Sequence, residues 1–218
     1  MTRATGRLNG ESDRLIPGAV RKYSAVTYDL FARPIDRMGF ASLRQRATSD
    51  LSGRVLELGA GTGLNFSHYR AASAVVAVEP DPAMRERGAR RARQAVVPIE
   101  VADARAERLP FPDQSFDAAV ITLVLCSVDD VERSLAELRR VLRPGAPVRL
   151  IEHVRSPQPS VAAIQGALTP LQRRLAGNCH LDRCTGDALR AAGFTVERCR
   201  SHLGGSLLEL AARGPSVS

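Results

Sequence analysis

VLELGAGTG (55–63) decides how this chain is read. A short apolar run breaks into a turn with glycine at every second position, which is the pattern of a buried strand followed by a tight turn. Glycine is required where a turn takes positive φ, or where something must lie against the main chain. In an open parallel sheet both needs meet at the carboxyl end of the first strand, where strand order reverses and ligands bind. The stretch therefore predicts a ligand packed on Gly59, Gly61 and Gly63.

Strand and helix signals alternate outward from that turn. RVLEL (54–58) is the first strand, followed by glycines and a helix start expected around Leu64 to Tyr69. AVVAVE (74–79) is the second strand and ends in a carboxylate; Asp81 caps the helix DPAMRERGARRARQ behind it. VVPIEVAD (96–103) and SFDAAVITLVL (115–125) are the third and fourth strands. In DDVERSLAELRRVLRPG (129–145), Val131, Leu135, Leu138, Val141 and Leu142 recur at helical spacing until Pro144-Gly145 stops the helix. APVRLIEHV (146–154) is the fifth strand. After a helix over 183–194, FTVERCRS (194–201) and SLLELAAR (206–213) are separated by so few residues that they must pair antiparallel.

This order predicts an α/β fold: a doubly wound, mostly parallel seven-stranded sheet with an antiparallel C-terminal hairpin and helices on both faces. One domain is expected over 17–218, behind a disordered tail at 1–16. Residues 17–50 are expected to form N-terminal lid helices. The three prolines and weak periodicity of 155–181 read as an insertion over the working edge.

Composition narrows the partners. The formal net charge of +8 invites a nucleic-acid reading. Against it, Lys22 is the only lysine among 31 basic residues, aromatics are 4%, tryptophan is absent and no stacking platform is visible. The arginines of MRERGARRARQ (84–94) read as a solvated helix face. No run of apolar residues is long enough to span a bilayer, and the first 16 residues lack the apolar block of a signal peptide. A cytoplasmic protein with no integral membrane association, a monomer or homodimer, is the expectation. Of four cysteines, Cys126 reads as a reduced core thiol. Cys179, His180, Asp182 and Cys184 match no common zinc spacing, so no metal is expected.

The ligand is constrained by what surrounds the glycines. Position 64 is leucine, so the dinucleotide pattern G-x-G-x-x-G fails, and no lysine follows to make a phosphate-binding loop. Glu79 ends the second strand, where a carboxylate accepts from ribose hydroxyls, and Asp103 ends the third, followed by Ala104. No basic residue is close in sequence to the glycines. Acidic strand ends suit a cationic nucleoside with an amino-acid tail better than a pyrophosphate.

VLELGAGTGLN, VVAVEPDPAM, VADARAERLPFPDQSFDAAV and ELRRVLRPGAPV resemble the class I S-adenosylmethionine-dependent methyltransferases of Rossmann-like fold. They match the branch that contains the ubiquinone and menaquinone C-methyltransferases, over roughly residues 20–213. The resemblance implies S-adenosyl-L-methionine as cofactor and S-adenosyl-L-homocysteine as product. It implies that Glu57, Gly59, Gly61 and Gly63 hold the methionine part and Glu79 the ribose. Pro80 and Met84 would lie beside the adenine, Asp103 and Ala104 would face it, and Thr122, Leu123 and Val124 would form the floor near the methionine. TLVLCSV (122–128), RLIEHV (149–154) and GNCHLDRCTGDAL (177–189) are similar to the alkyl-thiol methyltransferases. YDLFARPIDRMGF (28–40) resembles the lid helix of bacterial small-molecule and phospholipid enzymes. The animal thiol enzymes carry an apolar N-terminal anchor that this chain lacks, which favours a soluble small-molecule acceptor.

Methyl transfer from a sulfonium needs alignment in a dry pocket more than it needs a base. A thiol acceptor is already partly ionised near neutrality; a phenol or alcohol needs help. His153 is the candidate base or substrate contact, with a purely structural histidine as the alternative reading. Glu152 is expected on the opposite strand face. Tyr23, Tyr28 and Phe31 lie in the lid: Tyr23 and Tyr28 either close over the cofactor or wall the acceptor pocket, the alternative for all three being an aromatic stripe packed on the sheet. His180 and Asp182 are acceptor-binding candidates, loop capping being the alternative for Asp182. A thiol is the first acceptor, with an O-, C- or N-acceptor such as a quinone-like aromatic or an aminolipid next. An RNA methyltransferase and a non-catalytic nucleoside-binding module are the rivals of another class.

Overall fold

The computed structural model describes residues 25–175 and 178–216. Two helices come first: α1 (Ala25–Ile35), a π-helical turn (Asp36–Phe40), then α2 (Ala41–Thr48). The sheet strands are β1 (Gly53–Leu58), β2 (Ala72–Val78), β3 (Ile99–Ala102), β4 (Ala118–Thr122), β5 (Pro147–His153), β6 (Thr195–His202) and β7 (Leu207–Arg213). Between them run α3 (Pro82–Ala92), α4 (Val131–Val141), α5 (Pro159–Leu175) and α6 (Thr185–Ala191). Strand order is β3-β2-β1-β4-β5-β7-β6; the first five are parallel and β7 runs antiparallel to both neighbours. Order therefore reverses between β1 and β4, directly above the glycine turn.

The period-2 alternation of strand side chains divides the core. Leu56, Leu58, Val76, Ile121 and Leu150 face α4 and α6, whose Leu135, Leu138 and Leu189 complete that layer. Val55, Val75, Ala77 and Val120 face the other way, against Phe66, Tyr69 and Val97. On that same side Leu43 and Ala47 of α2 pack on Ile151 and Leu207. α3 begins where expected: Asp81 accepts from the N–H groups of Ala83 and Met84, with Pro82 at the first helical position.

Two expected elements differ. Where a helix is expected to start, around Leu64 to Tyr69, the chain makes a run of turns ending in a single 3-10 turn, Phe66–His68. Glu57 draws Asn65 and Tyr69 inward, and the chain turns around those bonds before a helix can propagate. The segment read as weakly periodic, 155–181, contains the 17-residue α5, with Pro170 inside it and Ile164, Leu168 and Leu171 exposed along it. Expectations for residues 1–16 and for Tyr23 lie outside the described residues, as does the side chain of Phe31.

The three glycines are not equivalent. All have positive φ: +59° at Gly59, +56° at Gly61 and +81° at Gly63. A Cβ at Gly59 would lie 2.5 Å from a Val124 methyl, and one at Gly63 would lie 2.6 Å from the Phe66 ring; at Gly61 nothing stands within 4 Å. The expectation that a ligand occupies the space over all three is corrected: the protein's own side chains fill it at Gly59 and Gly63. Gly59→Ala should therefore cost about 2–5 kcal/mol, combining a left-handed backbone penalty with overpacking. Gly61→Ala should cost only the backbone part, about 1–2 kcal/mol. Urea unfolding of the two variants measures the difference, and equal losses would contradict this assignment.

Candidate active site

The notch above the β1/β4 junction is built by carboxylates that hold main-chain N–H groups. Glu79, at the end of β2, is 8% exposed; it accepts from Gly61 N at 2.8 Å and from Asp81 N at 2.9 Å. Burial raises its carboxyl, outweighing the Asp81 and Gly61 bonds that lower it. A carboxylate offers about four lone-pair sites, so two remain for a ligand diol. Glu57 is different. Its oxygens are taken by Asn65 Nδ2 at 3.1 Å and Tyr69 Oη at 2.7 Å, inside the layer that contains Val55. It anchors the turn from beneath and does not line the notch. Asn65 also donates to Thr122 Oγ1 at 3.1 Å and accepts from Arg44 at 2.9 Å, tying the end of β4 and α2 to the same turn.

α1 is latched by Asp29, which the sequence reading passed over. Its buried carboxylate accepts from Thr62 Oγ1 at 2.6 Å, Arg87 Nε at 2.9 Å and Arg91 Nη2 at 2.8 Å. Burial pushes this carboxyl up, but the Thr62, Arg91 and Arg87 bonds win and its net shift is downward. α1, the glycine turn and α3 thus share one carboxylate. The reading of the 84–94 arginines as a solvated face is corrected here. Arg85 pairs with Asp103 at 2.9 Å, Arg87 with Asp29, and Arg91 also donates to Thr62 O at 2.6 Å. Cations do stand beside the glycine turn, supplied by α3, and Asp29 occupies them. Tyr28 is half-buried; burial raises its phenol, ahead of the lowering field of Arg44 and the raising fields of Asp36, Asp29 and Glu79.

The ends of β4 and β5 form the other wall. Leu123 has φ +58°, an uncommon conformation for a bulky residue. It starts a turn whose N–H groups all point at one group: Glu152 accepts from Val124 at 2.8 Å, Leu125 at 2.9 Å and Cys126 at 3.2 Å. Glu152 has no exposed surface, and burial raises its carboxyl against those three bonds. Placing Glu152 on the opposite face from His153 matched strand alternation, but its role as the holder of this turn was not foreseen. A carboxylate directly after the apolar pair Leu150-Ile151, inside a strand, is the available signal.

Beyond the turn, three residues meet. The thiols of Cys126 and Cys179 are 3.6 Å apart, and Cys179 Sγ is 3.6 Å from His153 Nδ1. Both cysteines are buried and His153 is half-buried. The Cys179 thiol is pulled down by its hydrogen bond with Cys126, and the Cys126 thiol is pushed up by the same bond and by burial. Burial lowers His153, but the Cys126 hydrogen bond and the Glu152 charge outweigh it, so the imidazole is raised. The cluster expected from sequence, Cys179 with His180, Asp182 and Cys184, does not assemble: Asp182 and Cys184 are exposed, and Cys179 turns inward. His180 N donates to Cys126 O at 2.7 Å, and Arg183 donates to Leu125 O and Val128 O, so this loop is tied to the 124–128 turn.

At the far end Asp103 is exposed, pairing with Arg85; Ala104 is buried and Met84 half-buried, while Pro80 is exposed. Asp103 and Ala104 line an open cleft with Arg108, Leu109 and Phe111. Pro80, Met84, Asp103 and Ala104 thus lie along one edge, Gly61 and Glu79 at the centre, and Thr122 to Val124 opposite. The open space at Gly61, the spare lone pairs of Glu79 and the neutralised arginines suit a nucleoside without phosphates.

Residues 56–150 match the model of a methyltransferase domain. The thiol S-methyltransferase TMT1B of Homo sapiens is 38% identical over 156 residues, 66% of this chain and 62% of the relative. The phosphatidylethanolamine N-methyltransferase of Cereibacter sphaeroides is 31% identical over 139 residues, 62% of this chain and 68% of the relative. This chain belongs to the S-adenosylmethionine-dependent methyltransferases. It spans 59–62% of the length of the TMT1B enzymes it matches. The methyltransferase fold is also that of the [4+2]-cyclase SpnF (TM-score 0.66, 20% identity, 85% of this chain and 82% of that one). Among the described residues of the methyltransferase, no helix is long and apolar enough to cross a membrane.

Burial pushes the Glu57 carboxyl up to about 7, against the Tyr69 and Asn65 bonds and the Arg44 field. A carboxyl raised above its unfolded value of about 4.3 stabilises the fold fully below that pH. The contribution is lost as pH rises through about 7. The wild-type melting temperature should therefore fall between pH 5 and pH 8 more steeply than that of Glu57→Gln. Parallel curves in calorimetric melts would contradict the assignment.

Proposed function

We propose that this methyltransferase moves a methyl group from S-adenosylmethionine to the sulfur of a small thiol. The cofactor supplies an activated methyl on a sulfonium. Gly61 leaves the main chain bare for the methionine part, Glu79 takes the ribose hydroxyls, and Asp103 and Ala104 face the adenine with Met84 and Pro80 beside it. Glu57, Gly59 and Gly63 act through the turn they shape. Thr122, Leu123 and Val124 floor the site, and the lid residue Tyr28 closes it and keeps water out.

The observation that carries the thiol reading is the engagement of His153. Its Nδ1 faces Cys179 Sγ at 3.6 Å, so the candidate base is committed to a sulfur cluster at the site's edge. An acceptor that ionises with little help fits such a site, and a thiol does so. The likeness to thiol S-methyltransferases points the same way. His153 is then an acceptor-side positioning group. Asp182, exposed, and His180, bound through its N–H to Cys126, form the rim on which an acceptor's polar end would rest.

A second acceptor, an aminolipid, is favoured by one feature: the exposed Ile164, Leu168 and Leu171 along α5 offer an apolar face. The relative that methylates phosphatidylethanolamine supports testing it. Incubation with labelled cofactor and a panel of thiols, phenols, quinols and aminolipid vesicles, read by mass, separates the two. Methylated thiols alone are expected; product from vesicles alone would overturn the thiol reading. Glu79→Ala should weaken cofactor binding by about 1.5–3 kcal/mol, because charge-assisted bonds are lost. Calorimetry returning wild-type affinity would remove Glu79 from the ribose.

A further inference from the structure

The Cys126, His153 and Cys179 cluster has no part in cofactor binding, yet it lies next to it. Val124 packs over Gly59, and Cys126 follows two residues later in the same Glu152-bound turn. Each of the three groups comes from a different element: the turn after β4, the end of β5 and the loop before α6. Each is held independently. Cys126 is fixed at its N–H by Glu152 and at its carbonyl by His180 N. His153 is the last paired residue of β5, opposite Leu207. Arg183 clamps the Cys179 loop to the carbonyls of Leu125 and Val128.

The spacing of the donor atoms is that of a metal site. Zinc holds thiolate sulfur at about 2.3 Å and imidazole nitrogen at about 2.0–2.1 Å in a tetrahedron, so neighbouring ligand atoms stand about 3.8 Å (S to S) and about 3.6 Å (S to N) apart. Here the sulfurs are 3.6 Å apart and Cys179 Sγ is 3.6 Å from His153 Nδ1. All three donors lie within 4.8 Å of one another. Packing alone asks for no histidine beside two core thiols. A disulfide would join only the sulfurs, at about 2.05 Å, and leave the imidazole without a role.

We propose that Cys126, His153 and Cys179 bind a zinc ion whose fourth position takes the acceptor thiol as its thiolate. Three protein donors and one open position are the arrangement of zinc sites that bind substrate. Both cysteines lose their protons to the ion, His153 binds as neutral imidazole, and the acceptor loses its proton on arrival. Three protons are released for each ion and acceptor bound. The identity of the fourth ligand rests on the thiol reading above; the three protein ligands do not.

The test uses the reduced full-length chain, stripped by chelation and titrated with Co2+ alone, then with Zn2+. One ion per chain is expected, with thiolate-to-cobalt charge-transfer absorption and tetrahedral d–d bands that Zn2+ abolishes. Cys126→Ser and Cys179→Ser should each weaken uptake by more than the about 10–100-fold typical of losing an outer partner. Cys184→Ser, at an exposed position, should leave uptake unchanged. A wild-type chain that shows no such spectrum and retains no ion overturns the proposal, whether or not the serine variants fold. Thiol methylation that survives both chelation and Cys179→Ser overturns the metal's role while the thiol reading stands. Ion binding without methylation of any thiol overturns the acceptor position and the thiol reading, and leaves the three-ligand site.

Discussion

The buried Glu152 carboxylate is the constraint on which the site depends. Taking a carboxylate out of water costs several kcal/mol unless strong hydrogen bonds replace the lost solvation. Here three consecutive main-chain N–H groups, Val124 to Cys126, supply them. The same bonds hold Leu123 in its unfavourable backbone conformation. They also press Val124 onto Gly59, which only a glycine admits, and turn the Cys126 thiol toward His153 and Cys179. The bend after β4, its contact with Gly59 and the sulfur cluster all follow from one buried carboxyl.

Glu57 serves the complementary side. It projects from β1 into the opposite layer, where Asn65 and Tyr69 satisfy it. The first turn after β1 is thereby pulled down and Gly61 is left uncovered. Asp29 completes the set by joining α1 to Thr62 and to α3. Three carboxylates, each satisfied by groups from other elements, shape the notch, while Glu79 keeps lone pairs free for a ligand.

Much of this was legible in the residues. The alternation of strands and helices, the hairpin and the Asp81 cap follow from periodicity and connection length, and family motifs identified the cofactor class. Local spacing fails where a side chain answers to a distant partner. The expected helix after Gly63 gives way because Asn65 and Tyr69 prefer a buried carboxylate to helical surface. Arg87 and Arg91 look solvated along their own helix, and only α1 reveals what they bind. Cys179 groups in sequence with Cys184 five residues on, yet it meets residues 126 and 153, which tertiary structure alone brings near.

The central claim is that the notch over Gly61 and Glu79 is shaped for an adenosine carrying an amino-acid tail rather than phosphates. The most direct measurement is the thermal shift of the purified chain with S-adenosylhomocysteine, set beside NAD and ATP. A ligand at 100 times its dissociation constant stabilises by about 2.7 kcal/mol, a rise of several degrees for a chain of this size. That rise is expected with S-adenosylhomocysteine and none with the phosphate-bearing nucleotides. A shift with NAD or ATP and none with S-adenosylhomocysteine would contradict it.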